Sequence, residues 1–118
     1  AIVHKLEAVN TPVAVLANFG LIIPQTVLDL FPKGIINIHP SLLPLHKGLD
    51  THQRAIDAGD TEAGCSVHIV TEELDAGEVL GQARVPVVPG DDADTLAARV
   101  LAEEHRLYPR VLADFAAR

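Results

Sequence analysis

The hydrophobic positions divide the first part of the chain into short apolar runs. Val13 to Ala17 is a continuous apolar run rich in valine, which predicts a buried strand. Gln25 to Leu30 follows Pro24, a residue that suits the first turn of a helix, and Ile35 to Ile38 is a second buried run. Strand, helix and strand in this order predict a crossover unit with two parallel strands.

Apolar side chains at helical spacing predict helices in three other segments. Ile2 to Ala8 predicts a short helix near the start of the sequence. A second short helix is expected from Thr51 to about Ala58, ended by Gly59. Thr95 to Phe115 predicts a long amphipathic helix that is interrupted near Pro109.

Two further segments have the pattern of strands. Gly64 to Thr71 alternates, so that Ser66 and His68 share one face and Cys65 lies on the other. Val79 to Val88 predicts the next strand after a hairpin-like connection. Together the elements predict an α/β fold with a mixed, mainly parallel sheet flanked by helices.

Composition limits the possible classes of protein. With 118 residues, 48% of them hydrophobic and 21% charged, residues 1–118 are expected to form a single domain. A net charge of −7 argues against a nucleic-acid partner, because such proteins concentrate Lys and Arg on one face. Cys65 is the only cysteine, and no stretch resembles a signal peptide or a membrane span, so we expect a cytoplasmic protein without a membrane partner.

Asn37 and His39 are the first candidates for chemistry. They lie two residues apart at the carboxyl end of a predicted strand, so their side chains face the same side, where open α/β sheets bind ligands. An amide donor and an imidazolium can together stabilise the oxyanion of a tetrahedral carbonyl adduct. A carboxylate would favour the charged imidazole and take part in proton transfer, and Asp75 is the candidate. On spacing alone, the simpler interpretation is structural, with Asn37 capping a turn and His39 hydrogen-bonded in the core.

Other kinds of site are not expected. The histidines form no helical pair and there is no cysteine pair, so the sequence predicts no metal site. Ser66 lacks the Gly-x-Ser-x-Gly context of a nucleophile, and a structural strand hydroxyl is the simpler role. The glycines form neither a dinucleotide fingerprint nor a P-loop.

The segment from Asn37 to Pro44, NIHPSLLP, resembles the signature of the folate-dependent formyltransferases, as do Gly48 and the later LDAG of Leu74 to Gly77. The segments GLDTHQRAIDAGD, DTLAARV and EHRLYP are most similar to the branch that acts on glycinamide ribonucleotide in purine biosynthesis. The run LANFGLIIPQTVLDLFPKGIINIHPSLLP is closer to the branch that acts on methionyl-tRNA. The resemblance therefore covers nearly the whole chain.

This resemblance implies transfer of a formyl group from 10-formyltetrahydrofolate to a small-molecule amine, without a metal. The branch that the chain resembles most implies that this amine is glycinamide ribonucleotide. By the same resemblance, the catalytic residues would be Asn37, His39 and Asp75, and Pro40 and Glu104 would contact the amine substrate. The residues that would contact the folate are Leu21, Ile22, Ile23, Leu28, Val70, Thr71 and Glu72.

The family's catalytic domain begins with further strands and a glycine-rich phosphate loop, and no segment of this sequence resembles them. The expected fold is thus a formyltransferase-like, Rossmann-type fold lacking those strands. Their loss would leave Val13 to Ala17, Ile35 to Ile38 or a neighbouring strand as an apolar edge, which predicts a homo-oligomer or a complementary N-terminal segment as partner. Three other functions stay open: a 10-formyltetrahydrofolate hydrolase, a transferase acting on initiator tRNA, which the acidic charge disfavours, and a folate-binding or partner-binding module without catalysis.

Overall fold

The computed structural model describes residues 2–4, 13–17, 25–31 and 34–117. A five-stranded sheet forms its centre, with the strands side by side in chain order. The strands are β1 (Ile2–His4), β2 (Val13–Ala17), β3 (Gly34–His39), β4 (Glu62–Ile69) and β5 (Val79–Pro86). The helices are α1 (Gln25–Leu28), α2 (Thr51–Asp57) and α3 (Ala93–Ala116). No helix in these ranges combines the length and apolar composition needed to cross a membrane.

The predicted crossover unit is confirmed, because β2 and β3 pair in parallel and α1 lies between them in sequence. The α/β class and the mixed sheet are confirmed as well. Among the described strands, however, β1 with β2, β3 with β4 and β4 with β5 all pair antiparallel, so the sheet is not mainly parallel. The physical reason lies in the connections. The β2–α1–β3 connection returns the chain to the end of the sheet where β2 began, so β3 runs in the same direction, whereas the loop between β4 and β5 reverses the direction of the chain.

The predicted helix from Ile2 to Ala8 is wrong where the structure describes it. Ile2–His4 is a strand that pairs antiparallel with β2, Ile2 opposite Ala17 and His4 opposite Val15. A helix this short is marginal alone, and pairing with an existing strand satisfies its backbone groups instead. The remainder of the predicted helix, residues 5–8, lies outside the described residues.

This strand also corrects the expected apolar edge. Val13–Ala17 has β1 on one side and β3 on the other, and Gly34–His39 lies between β2 and β4. Neither run is therefore an edge. The outermost described strands are β1, which is the neighbour of β2, and β5.

The long helix α3 is continuous through Pro109, so the predicted interruption is wrong. A proline inside a helix costs about 3 kcal/mol because it removes one hydrogen bond and crowds the preceding turn. Beyond the proline, Val111 and Phe115 are buried against the sheet. Burying two such side chains contributes about 3 to 6 kcal/mol, which offsets the cost of the proline.

The two faces of the sheet differ in chemistry. Ile36 and Ile38 of β3, with Cys65 and Val67 of β4, pack in the main core that includes the buried side chains of α3. Because successive side chains of a strand point to opposite faces, the residues between them face away from α3. The alternation predicted for Gly64 to Thr71 is confirmed. The buried polar residues that β3 and β4 place on this second face are Asn37, His39, Ser66 and His68.

Candidate active site

Buried polar side chains converge on the sheet face opposite α3. Asn37 and His39 come from β3, and His68 of β4 lies directly opposite Asn37 in the strand register. Asp75 comes from the loop that follows β4. Their exposed fractions are 1% for Asn37, 3% for His39, 2% for His68 and 5% for Asp75. Polar groups buried this deeply are costly unless they bind one another or a ligand.

Asp75 is fixed in the centre of this cluster. Its backbone is left-handed with φ of 52°, and its Oδ2 accepts a hydrogen bond of 2.8 Å from the backbone N–H of Gly48. The same oxygen lies 3.6 Å from Nδ1 of His39, and Oδ1 lies 3.5 Å from Nε2 of His68. One carboxylate thus faces two imidazole rings.

The loop that carries Asp75 depends on a close backbone approach at Gly77. A Cβ added at Gly77 would stand 1.7 Å from the carbonyl oxygen of Ile69, at the end of β4. Only glycine allows the chain to return so near to the strand. The LDAG sequence therefore supplies both the carboxylate and the turn that brings it back to the sheet.

The hydrogen bonds of His39 determine where its proton lies. Its Nε2 is 2.9 Å from the carbonyl oxygen of His46. A carbonyl can only accept, so Nε2 carries hydrogen and Nδ1 is the nitrogen that faces Asp75. A proton added at Nδ1 would form an imidazolium 3.6 Å from the carboxylate of Asp75.

His68 orients Asn37. Nδ1 of His68 lies 3.1 Å from the carbonyl oxygen of Ile69 and is the protonated nitrogen of the neutral ring. Nε2 then accepts from the Asn37 amide, whose Nδ2 is 3.3 Å away. Burial lowers the pKa of His68. Its bond to Ile69 and the charge of Asp75 oppose this shift, and the charge of His39 adds a smaller lowering. The neutral form that Asn37 requires is therefore favoured.

His68 was not among the predicted site residues. The alternation of β4 did place it on the face of Ser66, but its contact with Asn37, 31 residues away in sequence, depends on the register between β3 and β4. The sequence around His68 does not predict that register. The predicted residues Asn37, His39 and Asp75 are brought together.

Ser66 has the structural role expected of a strand hydroxyl. It donates to the carbonyl of Ser41 over 2.7 Å and accepts from the backbone N–H of Leu43 over 3.0 Å. The side chain of Gln82 on β5 donates to both Ser66 and the carbonyl of Leu43. These bonds hold the start of the loop between β3 and α2 against the sheet.

His52 of α2 lies beside the cluster and was also missed. Its Nδ1 is buried and has no hydrogen-bond partner among the described residues. Burial, followed by the charge of His39, lowers the pKa of His52. It lines an open cavity of about 210 Å³ together with Pro40 and Gly48. Pro40, a predicted substrate contact, is thus close to the cluster.

The predicted folate contacts divide into three groups. Leu28 and Val70 pack against Phe31 and Ile35, and Ile35 shares its face of β3 with Asn37. These apolar side chains lie on the site's face of the sheet. Thr71 and Glu72 follow β4 and are exposed. The remaining three, Leu21, Ile22 and Ile23, lie outside the described residues.

Glu104 does not join the cluster. It lies on α3 in an open cavity of about 350 Å³ with Ile38 and Tyr108, on the face of the sheet opposite Asn37. Burial raises the pKa of Glu104, and His105 opposes the shift. Ile38, which lines the cavity of Glu104, stands between Asn37 and His39 in the sequence of β3. Glu104 and the cluster therefore lie on opposite faces of the same end of this strand.

Within the described ranges, no group of three or more His, Cys, Asp or Glu side chains is arranged to hold a metal ion. The cluster offers instead an amide, an imidazole and a carboxylate around one point. This set can stabilise negative charge and transfer a proton.

Comparison with known proteins identifies the family of this chain. The sequence profile described as Formyl transferase matches residues 1–112. The chain belongs to the formyl transferase family. Phosphoribosylglycinamide formyltransferase of Escherichia coli (strain K12) is 45% identical over 115 residues, which are 98% of this chain and 54% of that protein. The Bos taurus trifunctional purine biosynthetic protein adenosine-3 is 42% identical over 112 residues, 95% of this chain and 11% of that protein.

A solved structure of the same family supports the fold. The crystal structure of phosphoribosylglycinamide formyltransferase from Brucella melitensis superposes with a TM-score of 0.86 and 52% identity, and covers 97% of this chain and 58% of that one. This formyl transferase chain thus spans about half the length of the bacterial relatives that it matches.

Proposed function

We propose that this chain is the folate-binding and catalytic part of a formyltransferase. In this proposal it transfers the formyl group of 10-formyltetrahydrofolate to the amine of glycinamide ribonucleotide, in purine biosynthesis. The single observation that supports it best is the buried cluster in which Asp75 lies 3.6 Å from His39, and Asn37 is linked to the same carboxylate through His68. The family resemblance assigns catalysis to residues of the types of Asn37, His39 and Asp75. The names of its relatives support the choice of acceptor.

The reaction assigns one role to each residue. The amine nitrogen attacks the formyl carbon, and the carbonyl oxygen becomes an oxyanion that Asn37 and the imidazolium of His39 stabilise. The bond between the formyl carbon and N10 then breaks. The amine loses one proton and N10 gains one, and Asp75, adjacent to His39, takes part in this transfer.

The two substrates would approach the end of β3 from opposite faces of the sheet. We assign the pterin to the apolar wall of Leu28 and Val70, with Thr71 and Glu72 supplying polar contacts. The family resemblance adds Leu21, Ile22 and Ile23. The acceptor would lie against Pro40 and reach the cavity that contains Glu104, whose carboxylate would bind the ribose hydroxyls.

Turnover of 10-formyltetrahydrofolate with and without glycinamide ribonucleotide, followed by folate absorbance, tests the proposal. We expect acceptor-dependent turnover that falls by about 10²-fold or more in Asn37→Ala and in His39→Ala, the usual loss for one oxyanion donor. Gln53→Ala removes an exposed amide of α2 and serves as the matched control.

The alternatives give different results in the same experiment. Release of formate without the acceptor would indicate a hydrolase. A folate analogue that binds by calorimetry, with no turnover under either condition, would indicate a binding module. Unchanged turnover in both Asn37→Ala and His39→Ala would contradict the proposed mechanism.

The proposal extends to the domain organisation, the location and the partners of the protein. We assign residues 1–118 to one domain, on the support of the single sheet, and we assign the protein to the cytoplasm without membrane or nucleic-acid partners. We further propose that β1, a short outermost strand, pairs with a second copy or with a complementary N-terminal segment. Sedimentation showing one folded species at the monomer mass of 12.6 kDa would contradict the last proposal.

A further inference from the structure

His46 and Asp60 form a hydrogen-bonded pair that the proposed chemistry does not use. Nε2 of His46 lies 2.6 Å from Oδ2 of Asp60, at the turn between α2 and β4. Their side chains are 17% and 26% exposed, so the pair is partly shielded from water. Exposed pairs contribute little to stability, but a short, shielded one can fix a conformation.

The backbone of His46 connects this pair to the cluster. His46 has a left-handed backbone with φ of 52°, a conformation that few residues other than glycine adopt without a compensating interaction. Its carbonyl oxygen is the one that accepts from Nε2 of His39. The direction of that carbonyl depends on the backbone angles of His46, and the bond to Asp60 restrains its side chain.

The loop on either side of His46 is held by other bonds. The hydroxyl of Ser41 donates to the carbonyl of Leu45 over 2.6 Å, and the N–H of Gly48 donates to Asp75 over 2.8 Å. Arg54 donates to the carbonyl of Lys47. At residue 46 itself, the side chain is bound to Asp60 and the carbonyl oxygen is bound to His39.

We propose that the His46–Asp60 pair positions His39, by aiming the His46 carbonyl so that Nε2 of His39 keeps its hydrogen and Nδ1 faces Asp75. His46 and Asp60 are thus positioning residues and touch no substrate. The effect on formyl transfer rests on the proposed function, whereas the effect on the proton location of His39 does not.

Long-range proton–nitrogen NMR correlation of the His39 ring tests the proposal directly, because it distinguishes a protonated Nε2 from a protonated Nδ1. We expect the neutral His39 ring of the native protein to carry its hydrogen on Nε2, with Nδ1 free to gain the proton that forms the imidazolium during the reaction. His46→Ala and Asp60→Ala should each produce a mixture of the two tautomers. The double variant should produce no more than either single one, because both remove the same restraint.

Two further variants are the controls. Asp60→Asn keeps an oxygen that accepts from His46 and should preserve the native pattern. Glu62→Gln removes a carboxylate two residues away, which forms an exposed pair with Arg84 of β5 at the start of β4, and should also leave His39 unchanged. Thermal unfolding of each variant separates a shift in proton location from a loss of fold. If Asp60→Ala does not fold, the tautomer measured in His46→Ala alone tests the proposal.

Turnover gives the second measurement. We expect kcat to fall about tenfold in His46→Ala and Asp60→Ala, equivalent to about 1.4 kcal/mol on the barrier, with KM for the folate unchanged. A single Nε2 tautomer retained in folded His46→Ala would overturn the proposal, and so would additive effects of the two alanine substitutions. An inactive native protein would contradict the proposed function, and the NMR pattern would still decide the role of the pair.

Discussion

Asp75→Asn tests the electrostatic part of the proposed chemistry with little change in shape. The amide oxygen of asparagine can still accept from the N–H of Gly48, so the loop keeps its bond of 2.8 Å. The negative charge near His39 and His68 is lost. The substitution therefore separates the charge of Asp75 from its position.

The size of the effect follows from the distance of 3.6 Å between Oδ2 of Asp75 and Nδ1 of His39. At an effective dielectric constant of about 20, two unit charges at this distance attract by about 4 to 5 kcal/mol. The dipole of the new amide and entering water recover part of this energy. A loss of about 3 to 4 kcal/mol in the transition state corresponds to a fall in kcat of about 10²- to 10³-fold.

The assay is single-turnover formyl transfer with both substrates saturating, alongside calorimetry with a folate analogue. Binding should be unchanged, because the charge acts on the oxyanion and not on the pterin. Asp57→Asn, which alters an exposed carboxylate of α2 that accepts from Gln53, should leave both measurements unchanged. A fall of less than about threefold in kcat for Asp75→Asn would refute the assignment of an imidazolium to His39.

Three other predictions concern stability and reactivity. Gly77→Ala should lower the free energy of unfolding by about 2 kcal/mol or more in urea denaturation, because its Cβ would stand 1.7 Å from a β4 carbonyl. Gly59→Ala should lose less, because its Cβ would meet nothing within 4 Å and only the φ of 74° is strained for alanine. The pKa values of His52 and His68 are lowered from 6.5, so the unfolded chain binds protons that the folded chain does not. Stability should therefore fall as pH falls from about 6.5 towards about 5, and a flat urea midpoint over this window would contradict it. Burial raises the pKa of the Cys65 thiol to about 12, so a thiol reagent near pH ~8 should modify it only in denaturant.

Much of the site was determined by the sequence itself. The two-residue spacing of Asn37 and His39 on an apolar run is enough to place them on one face, since the period of a strand is two. Alternation also predicted β4, and continuous apolar runs on either side of a helix that follows Pro24 predicted the strand, helix, strand order of β2, α1 and β3. The motif around Asp75 indicated which carboxylate belongs to the pair.

The tertiary structure decided the features that join distant segments. Ile2–His4 is a strand because β2 is there to pair with it, and α3 passes through Pro109 because the sheet buries the residues beyond it. His68 meets Asn37 only through the register of β3 with β4. The proton on His39 depends on a carbonyl seven residues away, at His46, in a left-handed backbone. Periodicity encodes which face a side chain takes, but register and loop conformation arise from contacts between segments, which no local pattern contains.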